Sequence, residues 1–462
     1  MDLLNQLISF LVTPLGLLLT AGGVVVAMLA KPSRPRLRWL IFSTCGFAAS
    51  LSTFDPDRIV GGVPPLVFPL EFLRAMGRPI TLVLVLLLLL NLLITRQANW
   101  RHRCFPTPIK FLMVVQAMIV VKILSSGNIT FALLTTVTYS AIVTLIALGP
   151  SRWLQSERDI LLSIWSIAMV GVIFALVNLY QAAIDTYPLT FLHGWFLGTT
   201  GNPHHAAVLI VSVLPSILFF CHHRDKNRWN QWLWLGCLGL AVIGLAATAS
   251  RTGMTMAIAA VLAFYWRQSS RLVRLVLIGT IVVLVGVSII EIVGFDVNLT
   301  GVFSTSINKI EAGQDTRSEV FRNYWNNFLA YPLFGMPLTG ERLLFRESSW
   351  LGVAGSLGLM GLVPMAFFGL STIQMIYRLH RMMSVYPSTI LLCSTVTSGL
   401  VALLIGGITE AYLLGNLSFA VLALFLYLAM GSFLLEVSST YLSSSGPRLT
   451  VDNQSFHDGV SI

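Results

Sequence analysis

A chain of 462 residues that is 56% hydrophobic and only 10% charged holds far less charge than the roughly 25% usual in soluble domains. Its net charge of +10 does not point to nucleic acid, because the basic residues alternate with long apolar runs, as membrane insertion requires. The expected fold class is an all-α polytopic membrane protein with about 12 to 14 transmembrane helices and a long, partly helical outer loop.

A helix needs about 20 apolar residues to cross the hydrocarbon, and runs of that kind recur from end to end. Spans are expected near 8–30, 37–54, 79–95, 108–126, 129–148, 160–180, 206–222, 230–248, 253–266, 272–293, 351–377, 387–407 and 413–435. The first has no basic leader and no small-residue cleavage site, so it reads as a span and not a signal peptide. Residues 59–73 are apolar but broken by prolines. The chain therefore divides into helices over 1–293, an outer loop over 294–350, further helices over 351–437 and a tail over 438–462. That tail is rich in Ser, Gly, Asp and Asn and reads as disordered. Lysine and arginine concentrate in one set of connections, which includes Lys31, Arg34, Arg36, Arg38, Arg224, Lys226 and Arg228. That side is expected in the cytoplasm with the C-terminus, and 294–350 on the opposite face. The five cysteines fall outside every segment placed on that opposite face, so no disulfide framework is expected.

Three outer segments carry polar chemistry. In Gly198-Thr-Thr-Gly-Asn-Pro-His-His, two glycines permit a turn, Asn202 suits an N-cap and Pro203 a first helical position. A helix starting there would offer amides and a positive dipole end to an anion such as phosphate; the same residues equally suit an ordinary capped helix, and His204 and His205 follow directly. In Ser250-Arg251-Thr252-Gly253, an arginine sits in a tight link between two apolar helices. Its guanidinium can fork onto a phosphate, or it can simply snorkel to the interface. In the long loop, Arg317, Glu319 and Arg322 have helical spacing and precede Tyr324, Trp325 and a helix-ending turn at Tyr331-Pro-Leu-Phe-Gly335. Arg342, Arg346 and Glu347-Ser348-Ser349-Trp350 lead into the next span. Glu347 can serve as a base toward a hydroxyl, as a helix cap, or as the partner of Arg346.

The order of these motifs, with Gly-x-x-Gly at Gly358 and Gly361 after them, resembles the bacterial O-antigen polymerase and O-antigen ligase superfamily, over about 160 residues from Gly198 to Gly361. The resemblance implies a glycosyltransferase of the GT-C type in the bacterial inner membrane, with its active site facing the periplasm. Such enzymes move a glycan from undecaprenyl diphosphate to a sugar hydroxyl with inversion, without a nucleotide sugar, metal or other cofactor. By position, Arg251, Arg317 and Arg322 would hold the diphosphate, and Glu347 with Arg317 would be catalytic. Asn202, His204, His205, Tyr324, Arg346 and Ser348 would line the cleft. The implied partners are an undecaprenyl-diphosphate-linked oligosaccharide, an acceptor glycan, the bilayer, and polysaccharide export and chain-length proteins. Ligases of this group carry a histidine in the cluster before Gly-x-x-Gly. Here that cluster reads Glu347-Ser348-Ser349-Trp350, which favours polymerase over ligase.

Other features weigh less. Asp55-Pro56-Asp57 could hold a divalent metal through carboxylate oxygens but reads better as a turn. His204-His205 and His222-His223 are adjacent pairs, whose members point about 100° apart on a helix, with no third ligand at zinc spacing. Lys122 is expected to snorkel outward, and Glu410, in an outer turn beside Tyr412, is either a cap or a cleft residue. No phosphate-binding fingerprint supports ATP-driven transport. An anion transporter would need ionisable groups near mid-span, and these are scarce. A non-catalytic scaffold for polysaccharide export would not need the outer arginines.

Overall fold

The computed structural model describes residues 35–51, 66–94, 106–125, 145, 153–154, 156–184, 191–192, 195–223, 228–267, 316–337, 348–414 and 417–443. The expected spans 8–30 and 272–293, and all of 129–148 but residue 145, lie outside them, as does Asp55-Pro56-Asp57. Every other expected span coincides with a helix. In chain order these are α1 (Pro35–Leu51), a short α2 (Leu70–Ala75), α3 (Gly77–Ile94), α4 (Thr107–Ser125), α5 (Glu157–Ile184) and α6 (Pro203–His222). They continue with α7 (Arg228–Ala247), α8 (Arg251–Tyr265), α9 (Thr316–Ala330), α10 (Ser349–Val385), α11 (Ile390–Thr409) and α12 (Phe419–Ser443). Among the described residues, seven helices are long and apolar enough to cross a membrane, and the chain is a helical, multi-pass membrane protein.

Three features depart from the sequence expectation. A two-stranded antiparallel hairpin, β1 (Phe191–Leu192) with β2 (Trp195–Phe196), precedes α6. Helix α12 begins at Phe419 and not near 413, because Glu410 to Leu414 fold as a buried turn. The same helix continues to Ser443, so the start of the segment expected to be a disordered tail is helical.

Helix α6 is the hub. The apolar window of α6 is 89% buried, against 6% in α7, because α6 touches α5, α7, α8, α11 and α12. Small hydroxyl residues let these helices approach and bond to one another, as they do in membrane bundles generally. Ser216 Oγ and Tyr427 Oη lie 2.9 Å apart, Tyr427 Oη donates to Ser212 O at 3.1 Å, and Ser398 Oγ donates to Ala260 O at 2.6 Å. Helix α7 instead shows Trp229, Trp232, Leu233, Val242 and Ile243 outward, the surface of a helix facing lipid.

Helix α10 is broken at Gly358, whose φ of 64° and ψ of −153° interrupt it. A break inside hydrocarbon must satisfy its freed backbone groups internally, and the turn after α9 does this. Leu359 N donates to Pro332 O at 2.7 Å, Met360 N to Leu333 O at 3.2 Å, and Met336 N to Gly355 O at 3.0 Å. Lys122 at the end of α4 completes the joint: its ammonium donates to Phe334 O at 2.8 Å and to Ser356 O. Lys122, expected to snorkel outward, thus places its ammonium on two carbonyl acceptors beside the broken helix. Replacing it in Lys122→Met keeps the stem and removes both bonds. Bonds to a charged group contribute about 1.5–3 kcal/mol each, so the unfolding midpoint in detergent should fall by several degrees. An unchanged midpoint would show that the joint does not need the ammonium.

Candidate active site

Helices α6, α8 and α10 all start at one end of the bundle, where α11 finishes. Each start is built as its local sequence dictates. Asn202, extended at φ −151°, accepts from His204 N through Oδ1 at 2.8 Å, and Pro203 takes the first helical position. The turn before it closes through Thr200 N donating to Leu197 O at 3.2 Å. Ser250 Oγ accepts from Gly253 N at 3.2 Å, and Ser348 Oγ accepts from Leu351 N at 3.2 Å. Three capped N-termini therefore present first-turn amides and positive dipole ends on the same side of the protein, the arrangement that suits an anion.

Side chains tie these ends into one cluster. His204 Nδ1 lies 3.0 Å from Ser250 Oγ and 3.6 Å from Glu410 Oε1. Glu410, 7% exposed, ends α11, and its carbonyl accepts from Ser349 Oγ at 2.8 Å. Ser349 Oγ in turn accepts from Leu413 N at 3.2 Å, which fixes the turn after α11 to the start of α10. Tyr412 in that turn is buried and donates to Leu403 O. Burial, and then the negative charge of Glu410, hold its phenol well above the ordinary tyrosine range, so it stays protonated. Arg251 follows Ser250 at the rim and is exposed. It leaves a strained link, since Ala249 takes a φ of 49°, a left-handed conformation that costs a non-glycine residue about 1–2 kcal/mol and that concentrates at functional turns.

The residues singled out from the sequence fare differently. Asn202, His204, Arg251 and Ser348 come together at these helix ends. His205 is on the next position of α6, about 100° round the axis, with its side chain exposed at the same end. Arg322 is exposed on α9 and Tyr324 is half-buried there. Helix α9 lies against α10, with Tyr324 against Gly355. The backbone of Arg317 belongs to the first turn of α9, but its side chain, like Arg346 and Glu347 altogether, lies outside the described residues. Glu410 was left open by the sequence between cap and cleft. It is both the C-cap residue of α11 and a member of the cluster. The available signal was an acidic residue directly after a span without charge, and nothing local linked it to His204.

Other polar groups serve the scaffold. Glu71 Oε2 accepts from Leu66 N at 2.7 Å and from Arg74 Nη2 at 2.6 Å. Tyr180 Oη donates to Phe68 O at 2.9 Å. Together they fasten the segment before α3 to the end of α5. At the opposite end of the bundle, His222 Nδ1 bonds Leu218 O of its own helix, and its Nε2 lies 3.1 Å from Tyr265 Oη at the end of α8. No family model matches the chain, and no curated protein matches it.

Proposed function

We propose that the chain is a polysaccharide polymerase of the bacterial inner membrane. It transfers a glycan from undecaprenyl diphosphate to a sugar hydroxyl of a second lipid-linked oligosaccharide, with inversion and without a metal, at the periplasmic face. The observation that carries this reading is the meeting of His204, Ser250, Ser349 and Glu410 from four different helices at one end of the bundle, with Arg251 and Ser348 next to them in the chain. All but Glu410 come from the segments, Gly198 to Gly361, whose order resembles the O-antigen polymerase and ligase superfamily. A departing diphosphate gains negative charge, and preorganised cations and dipoles stabilise that charge most when water is kept away. Arg251, with Arg317 and Arg322 on the loop helix, supplies the guanidinium charge, and the three helix starts supply aligned amides.

The break in α10 is a feature a transporter would share, since discontinuous helices build ion sites in transporters. Here the turn at Pro332 to Met336 and the Lys122 ammonium occupy the freed groups of that break, which favours surface chemistry over passage.

The test is elongation by the purified full-length protein of an undecaprenyl-diphosphate oligosaccharide, with chelator present. A ladder of longer lipid-linked products is the expected result. Transfer only to a lipid A core would make the protein a ligase, and accumulation of a labelled anion in proteoliposomes without any glycan product would replace the reading with transport.

A further inference from the structure

The contacts around the break show that α10 doubles back on itself. A Cβ at Gly369 would stand 2.7 Å from Cη2 of Trp350, and one at Gly361 would stand 2.9 Å from Cγ1 of Val353. Along a straight helix those pairs of residues would be about 28 Å and about 12 Å apart. The segment 349–357 is therefore a short arm, laid at an acute angle against the long arm that follows Gly358. The short arm starts at the cluster of helix ends, where Ser349 bonds Glu410 O and Trp350 lies beside Gly407 of α11. Its other end, the apex at Gly358, projects beyond that cluster by a distance on the order of 10 Å.

The surface around the apex is apolar and open. Leu329 is 60% exposed, Leu333 59% and Phe334 69%. Residues 323–337, the second half of α9 and the turn after it, contain no charged side chain. Hydrogen bonds join that turn to two membrane helices, since Leu333 O accepts from Met360 N and Phe334 O accepts from Lys122 Nζ. Beside those bonds, Val121 of α4 and Met360 and Val363 of α10 are exposed as well. The apolar surface of the turn therefore continues into the outward faces of α4 and α10, two helices long and apolar enough to cross a membrane. An apolar surface of this extent marks contact with a membrane or a partner, and its continuity with those outward faces selects the membrane.

We infer that the turn after α9 and the apex of α10 form one wedge seated in the hydrocarbon at this end of the bundle, covered by the acyl chains of bilayer lipid. Irregular backbone survives at that depth only when its polar groups are bonded within the protein. Every carbonyl from Tyr331 to Phe334 meets this condition. Tyr331 O accepts from Gly335 N, Pro332 O from Leu359 N and Leu333 O from Met360 N, and Phe334 O accepts from Lys122 Nζ. Trp325 and Tyr331, both exposed on the same segment, are residue types that settle at the headgroup level. Arg322 precedes Leu329 by about 10 Å of helix. Helix α9 thus enters the membrane by its uncharged end and keeps its arginine-bearing end at the headgroups. The wedge goes beyond the glycosyl-transfer reading and does not depend on it. It adds that the cluster of helix ends is approached at the depth of lipid chains, which suits a lipid-anchored substrate.

The experiment introduces Leu333→Cys or Phe334→Cys into the full-length protein, labels each variant with bimane in detergent, and returns it to vesicles of phosphatidylethanolamine and phosphatidylglycerol. Val242→Cys, at an outward apolar position of α7, is the lipid reference. Ser388→Cys, at an exposed position in the link between α10 and α11, is the water reference. The unaltered chain, labelled alongside, gives the background of its own cysteines. Fluorescence is read in vesicles whose acyl chains carry bromine, and again with iodide in the water. The two turn variants should lose fluorescence to brominated chains as much as Val242→Cys does, and should keep it against iodide. Loss to iodide as large as at Ser388→Cys, without loss to brominated chains, would overturn the wedge. Indifference to both quenchers would overturn it too, because protein and not lipid would then cover the turn. Leu329→Cys, on the last turn of α9, decides the question if either turn variant fails to fold. None of these outcomes bears on whether the chain elongates a glycan, so the wedge and the polymerase reading stand or fall separately.

Discussion

Gly335→Ala should destabilise the protein by about 2–5 kcal/mol, the sum of a left-handed penalty and an overpacking cost, and Gly358→Ala should do nearly the same. Gly335 has a φ of 70°, and a Cβ there would stand 2.3 Å from the Ser356 carbonyl carbon and 2.4 Å from Leu357 N. Gly358 has a φ of 64°, and its Cβ would stand 2.6 Å from the carbonyl of Leu333. In both cases the obstacle is backbone, which cannot rotate aside as a side chain can. The two glycines face each other across the joint between the loop turn and the broken α10, so each substitution pushes the same two strands of chain apart. Residues that share one contact couple, and the double variant should cost clearly less than the two single costs added. Gly236→Ala and Gly239→Ala on α7 are the comparison. Nothing lies within 4 Å of either added Cβ, and alanine is favoured over glycine inside a helix by about 0.5–1 kcal/mol. Those variants should unfold at or slightly above the normal temperature in detergent. Equal midpoints across all four single variants would mean that the joint is not close-packed.

The consequence for the site is direct. Helix α9 bears Arg317, Arg322 and Tyr324, and it reaches the membrane helices through α10, where Tyr324 lies against Gly355 and the following turn enters the break. If the proposed diphosphate site includes the loop arginines, a variant that loosens the joint should lose activity before it loses the bundle, because α9 is anchored through that joint.

The membrane-spanning helices were legible because they are long apolar runs between charged connections, a pattern written residue by residue; α9 was legible instead from the helical spacing of Arg317, Glu319 and Arg322. The helix start at Pro203 was legible for a different reason: Asn-Pro carries its own capping chemistry, so local sequence decides it. The starts at Arg251 and Ser349 came two residues earlier than the spans expected at 253 and 351, because Ser250 and Ser348 act as their caps. The break in α10 was not legible. Gly358 belongs to a Gly-x-x-Gly pattern that also reads as ordinary close packing, and the partners that make a break tolerable come from α4 and from the loop. Lys122 shows the same limit: its helix position was plain, but its acceptors lie in a distant part of the chain. The pairing of His204 with Glu410 was hidden likewise, because it depends on the packing of α6 against α11 and on no spacing within either. Local chemistry thus fixed where helices begin, while long-range packing fixed which of their ends meet.

Arg251→Ala should lower elongation about 10²–10³-fold, the usual consequence of deleting one group that stabilises charge growing in the transition state. The loss should fall mainly on kcat, because the diphosphate bears more negative charge as it leaves than when it is first bound. Arg251→Lys should recover only part of the rate, since an ammonium supplies a point charge but not the planar fork that meets two phosphate oxygens together. Arg381 near the far end of α10 is also exposed, and Arg381→Ala should leave turnover unchanged. The position of Arg251 explains why one guanidinium is expected to weigh so heavily. It stands directly after the N-cap of α8, whose hydroxyl also contacts His204, so the guanidinium proposed to receive the leaving charge is set by the same short turn that ties α8 to α6. An arginine that only snorkelled to the interface would be replaceable by lysine at full rate, and that result, with intact protein, would remove the diphosphate from this end of the bundle.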